Sequence, residues 1–119
     1  MKVCDYGNGK LVQIKFDDCL AELFEKGVKT STTRIEKKAE VGDYFCFKGK
    51  RYLVTKITET TVQIACADYY RKEGYGSYID MLNDLKKFYP DLIINNQSPS
   101  GVGIVSTVVY IHEFYQIVI

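Results

Sequence analysis

GVKTSTTR, Gly27 to Arg34, sets four hydroxyl side chains in a row between a lysine and an arginine, directly after an amphipathic stretch. A regular strand through it would put Lys29 with Ser31 and Thr33 on one side, and Thr30 with Thr32 and Arg34 on the other. Lys29 and Thr32 would then face apart. They share a pocket only if the chain turns between them, and Gly27 just upstream permits an unusual entry. The sequence therefore predicts an irregular turn at Lys29–Ser31 running into a strand at Thr32.

Upstream, LVQIKF alternates and predicts a strand from Leu11 to Phe16. DDCLAELFEKG predicts a short helix, with Asp17 or Asp18 as N-cap, an apolar stripe at Leu20, Leu23 and Phe24, and Gly27 just past its end. Downstream, Gly42-Asp43 reads as a turn before a strand at Tyr44 to Phe47. KGKRYLVTKITETTVQIACADYY reads as hairpin-rich, with strands near Tyr52–Thr58 and Thr61–Ala67. GSYIDMLNDLKKFYP predicts the second helix, capped by Ser77, burying Ile79, Leu82, Leu85 and Tyr89, and ended by Pro90. The polar NNQSPSG stretch separates it from a last strand, Ile104 to Val118. That strand is apolar on both faces and is expected to be central. Mostly short connections and non-consecutive helices point to an α+β fold with a small, mixed, barrel-like sheet and two helices.

The 119 residues suit one domain, residues 1–119, with a core that needs no staples. No CxxC pair occurs among Cys4, Cys19, Cys46 and Cys66, and one histidine cannot complete a Cys/His zinc site of ordinary spacing. Cys19, Cys46 and Cys66 lie among apolar neighbours and are expected to be reduced, mostly buried thiols. MKVCDYGNGK lacks the apolar core of a signal peptide, and no apolar run approaches the ~20 residues of a membrane span. The expectation is a soluble cytoplasmic protein without metal, cofactor or membrane partner. Net charge is +1, but Lys26 to Lys56 holds nine basic and three acidic residues, a balance of +6 that leaves −5 elsewhere. Such asymmetry suits a face that meets an anion, RNA included, or a solvated strand surface.

A threonine hydroxyl becomes a nucleophile when a neighbour removes its proton. A lysine does so only when neutral, its pKa depressed by burial or by a cation such as Arg34. A carboxyl is then needed to bring a proton to the leaving group. Glu73, in the Gly-flanked RKEGYGS just before the second helix, is the best placed. A polar strand edge is the plain alternative for the hydroxyl run.

Taken together, GVKTSTTR, VGDYF, KEGYGSYIDMLNDLKKFYPD and VVYIHEFYQI resemble the ASCH domain, a PUA-like β-barrel family, over about Leu11 to Ile117. The combination G-x-K-T-x-T-x-R, V-G-D and a helix ending in Y-P carries the resemblance. It implies, from the small members that act as N(4)-acetylcytidine amidohydrolases, that Thr32 attacks the acetyl amide, Lys29 activates it and Glu73 protonates the departing cytidine. It also implies a cleft for a nucleoside or an RNA base, with Thr30, Arg34 and Tyr75 as substrate contacts. The alternative is a non-catalytic RNA-binding module. Tyr69, Tyr70, Tyr75 and Tyr78 surround Glu73 in sequence, where an aromatic ring could stack on a pyrimidine or fill the core. Gly101-x-Gly103 has no helix after it and is no nucleotide fingerprint. His112, inside an apolar strand, is read as structural, and Asp43 as a turn residue.

Overall fold

The computed structural model describes residues 9–89 and 107–117. Cys4, Pro90, the NNQSPSG stretch, the Gly101-x-Gly103 pair and the expected start of the last strand at Ile104 lie outside them. The described residues form four strands, β1 (Ser31–Arg34), β2 (Tyr44–Phe47), β3 (Lys50–Thr61) and β4 (Val108–Ile117), with helices α1 (Ala21–Glu25), α2 (Val62–Glu73) and α3 (Tyr78–Phe88). The strands pair antiparallel in the order β1-β4-β3-β2, as a curled half-barrel. The α+β class expected from the sequence holds, with three helices instead of two.

β4 is interior to the sheet, as its apolar residues on both faces predict. Its alternation feeds two clusters. Val109 and Ile111 join Val62, Ala65, Cys66, Met81 and Leu85 beneath α2 and α3. Phe114 joins Ile14, Phe24, Phe45, Phe47, Tyr52 and Val54 on the other side. Phe24 of α1 stacks on Phe114 with ring centroids 5.4 Å apart, which fixes the short helix over the sheet.

Two expected strands fail. Leu11–Phe16 makes only a single parallel bridge, Leu11 with Tyr44, before the chain leaves the sheet edge. Thr61–Ala67 is the start of α2. The β-branched TTVQI suggests a strand, but Val62, Ala65, Cys66, Tyr69 and Glu73 recur at helical spacing and all face inward. Thr61 caps the helix, its hydroxyl accepting from the Ile64 amide at 3.4 Å. α3 is as expected at its start, where the Ser77 hydroxyl accepts from the Asp80 amide. It buries Met81 and Leu85, while Ile79 is exposed. Of the cysteines, Cys66 is buried, but Cys19 and Cys46 are exposed because a 3-10 turn and the outward side of β2 carry them.

Helices α1 and α2 end in the same way. Gly27 (φ 71°) closes α1, with the Val28 and Gly27 amides donating to the Leu23 and Phe24 carbonyls. Gly74 (φ 96°) closes α2, with the Tyr75 and Gly74 amides donating to Tyr70 and Arg71. Each is a Schellman turn that needs a left-handed residue. The two turns pack on each other: a Cβ on Gly74 would lie 2.9 Å from Leu23 Cδ1 and 3.7 Å from Lys29 Cβ. Gly74→Ala is therefore expected to lower stability by about 1–2 kcal/mol from backbone conformation alone. A urea midpoint equal to wild type would contradict this account of the turn.

Candidate functional site

The chain leaves the Gly27 turn as Lys29, enters β1 at Ser31, and is tied to α2 by the Thr30 amide donating to the Lys72 carbonyl at 2.6 Å. That bond sets the end of α2 against the start of β1. Helical periodicity does the rest: Glu73 continues the buried stripe of α2, so its carboxyl points inward, not from a loop as the sequence suggests.

The Glu73 carboxylate, 5% exposed, is fully engaged. Oε2 accepts from Ser31 Oγ at 2.6 Å and from Thr33 Oγ1 at 3.1 Å, while Oε1 accepts from the Thr33 amide at 3.2 Å. Lys29 Nζ lies 3.6 Å from Oε1 and donates to the Ser31 and Glu73 carbonyls at 3.0 and 3.1 Å. Burial holds the Lys29 amine below the usual lysine value of 10.5, and the nearby Arg34 guanidinium adds to this while Glu73 opposes it. Two backbone carbonyls and the Glu73 carboxyl surround the amine: a charged amine can donate to all three, and a neutral one to the carbonyls alone, with its lone pair left free.

Thr32 lies on the other side of β1. Its hydroxyl accepts from Arg34 Nε at 3.1 Å, and Arg34 also donates to the Lys15 carbonyl at 2.8 Å. The guanidinium sits 5.2 Å from the centre of the Phe16 ring. His112, the β4 partner of Thr32, is fully buried. Its Nε2 accepts from the Lys38 amide at 2.9 Å, and Nδ1 lies 3.3 Å from the Thr32 carbonyl. A neutral imidazole protonated on Nδ1 satisfies both contacts, and burial holds His112 below its ordinary value. Asp43 likewise serves its turn, accepting from the Glu40 and Lys10 amides.

Part of this set borders a cavity of about 340 Å³, within the usual range for small-molecule sites. Lys29, Thr32, Arg34, Glu73 and Tyr75 all line it. Thr30 does not; its backbone serves the α2 contact instead, with its carbonyl accepting from the Phe114 amide. Tyr69, Tyr70 and Tyr78 pack against the core under α2 and α3. The cavity wall also includes Phe16, Thr33, Asp84 and Tyr89, which the sequence does not assign to the site. Thr33 and Ser31 were signalled by the alternation that pairs them with Lys29. Phe16 and Asp84 carry no local signal, since their place depends on how distant segments dock.

Among the described residues no group of three or more His, Cys, Asp or Glu side chains could hold a metal ion. No described helix is long and apolar enough to cross a membrane. No protein-family model and no curated protein matches the sequence. Solved structures do match its fold. The hypothetical protein PH0355 aligns with a TM-score of 0.62 at 14% identity, over 91% of this chain and 97% of its own. An ASCH domain from Lactobacillus crispatus JV V101 aligns with a TM-score of 0.57 at 14% identity, over 90% of this chain and 78% of its own. A Pyrococcus furiosus protein known from solution NMR gives 0.54 at 15% identity, over 92% and 96%. The chain shares the ASCH-domain fold with these structures.

Proposed function

We propose that this ASCH-type fold binds a pyrimidine nucleoside, free or splayed from an RNA strand, and hydrolyses an acyl group from its exocyclic amine, with N(4)-acetylcytidine as the model substrate. One observation carries the reading: a buried amine and carboxyl 3.6 Å apart at a cavity whose wall also holds the Thr32 hydroxyl. Buried ion pairs are poor stabilisers, and perturbed titratable groups in a cleft mark functional sites.

In this reading Thr32 Oγ1 attacks the acyl carbonyl and its proton passes to the lone pair of neutral Lys29. Arg34, donating to the same oxygen, stabilises negative charge as it develops there. The carbon–nitrogen bond breaks as the amine nitrogen takes a proton from Glu73, leaving cytidine and an acyl-Thr32 ester. Water then releases the acid. Phe16 and Tyr75 supply aromatic surface on which a pyrimidine can stack.

RNA binding along the Lys26–Lys56 stripe is less well supported. Lys26, Lys37, Lys38 and Lys48 each face a carboxylate, and Lys29 is buried. The test is to follow cytidine release from N(4)-acetylcytidine by wild type and Thr32→Val. Release by wild type alone, nearly independent of salt, is expected. No release, together with RNA affinity that falls steeply with salt, would transfer the case to a binding module.

A further inference from the structure

We infer that Thr33 is a further catalytic residue, its hydroxyl relaying protons between the Glu73 carboxyl and the contents of the cavity. This rests on the amidohydrolase reading above, and extends it to a side chain outside the Lys29, Thr32 and Glu73 set.

The two oxygens of Glu73 are not equivalent. Oε1 faces the Thr33 amide, which can only donate, and Lys29, whose lone pair the reaction commits to Thr32. A proton on Glu73 therefore resides on Oε2. That oxygen faces two hydroxyls, Ser31 Oγ and Thr33 Oγ1, and a hydroxyl can turn from donor to acceptor. Of the two, Thr33 lines the cavity and Ser31 does not.

Glu73 borders the cavity as well, but the two hydroxyls occupy its Oε2, so in this proposal proton exchange with bound molecules runs through Thr33 in both half-reactions. During acylation, Oε2–H passes its proton to Thr33 Oγ1 while the Thr33 proton moves to the departing amine nitrogen, as the carbon–nitrogen bond breaks. During deacylation, water forms its bond to the acyl carbon and gives a proton to Thr33 Oγ1, whose own proton moves to Oε2. The ester bond then breaks, and the Thr32 oxygen recovers the proton held by Lys29. The sum is amide plus water giving amine plus carboxylic acid, with Lys29 neutral and Glu73 protonated again. The observed contact, with Thr33 Oγ1 donating to Oε2, is the arrangement that receives the second transfer.

The experiment compares wild type, Thr33→Val, Thr33→Ser and Ser31→Ala for cytidine release in mixtures of H2O and D2O. Thermal melting confirms that each is folded, and Thr33→Ala replaces the valine variant if that one is not. Valine is expected to lower kcat about 10- to 100-fold with KM unchanged, at or below the usual ~10²–10⁴ of general acid–base catalysis. The curved dependence of wild-type rate on deuterium fraction, from two protons moving together, should become linear. Serine should recover the wild-type rate and curvature, and Ser31→Ala should keep the curvature. A valine variant with wild-type kcat, or with reduced kcat but unchanged curvature, overturns the relay and leaves the amidohydrolase reading intact. No cytidine release by wild type overturns that reading and the relay with it.

Discussion

Glu73→Ala is expected to lose about 3–5 kcal/mol of stability, the cost of breaking a buried ion pair, together with all measurable cytidine release. The substitution strands several groups at once. Ser31 Oγ, the Thr33 amide and Thr33 Oγ1 lose their acceptor, and all belong to residues no more than 5% exposed. A buried donor left without a partner costs ~1–3 kcal/mol. Lys29 keeps its bonds to two backbone carbonyls but loses the only carboxylate within ion-pair distance among the described residues. Glu73 raises the Lys29 value, so its removal lets the amine shed its proton more readily, which limits the loss. Against a typical domain stability of ~5–15 kcal/mol the effect is large. Glu73→Gln should recover part of the stability, because the two hydroxyls can turn to accept from the new amide, yet none of the turnover. Urea denaturation with an unchanged slope measures the first, and the cytidine assay the second. An alanine variant with the wild-type midpoint would show that the buried cluster does not hold β1 to α2.

Lys29→Arg should lower kcat by ~10²–10⁴, because a guanidinium cannot give up its proton to become a base. The pH profile separates this from simple misplacement. Wild-type turnover should fall with pH along a limb centred below 10.5, because the working form keeps one proton on the Lys29 and Glu73 pair, and that proton is lost as the amine, held down first by burial and then by Arg34, gives it up. The arginine variant should lack that limb. Stability carries the opposite sign. The unfolded lysine binds its proton up to its ordinary value while the folded one releases it earlier, so between the two the unfolded chain holds more protons. Stability then rises with pH across that window, and the penalty of a charged buried amine is fully present below it. Lys29→Met should flatten this rise. A wild-type profile with no descending limb below 10.5 would remove Lys29 from the role of base.

Much of the site's frame is written in short-range signals. Gly27 after LFEK, Ser77 three residues before Asp80, and the two-faced apolar pattern of β4 each depend on contacts within a few residues or on simple periodicity. The start of α2 is hidden in the sequence for a physical reason: TTVQI favours strands locally, but packing of Val62, Ala65 and Cys66 against Val109 and Ile111 outweighs a propensity difference of ~1 kcal/mol or less. The same helix turns Glu73 inward, where the Gly-flanked sequence suggests a loop side chain.

The amino-acid order alone determined which groups are available: an amine, a carboxyl and alternating hydroxyls, with glycines where helices must stop. Tertiary structure decided which hydroxyl meets which partner. Ser31 and Thr33 bond Glu73, 42 and 40 residues away, while Thr32 bonds Arg34 two residues on. Alternation along β1 divides the hydroxyls between two sides, but only the docking of α2 against that strand brings the carboxylate to one of them. Local rules act over a turn or a pleat; this contact joins residues 40 and 42 positions apart and forms only when the core has closed.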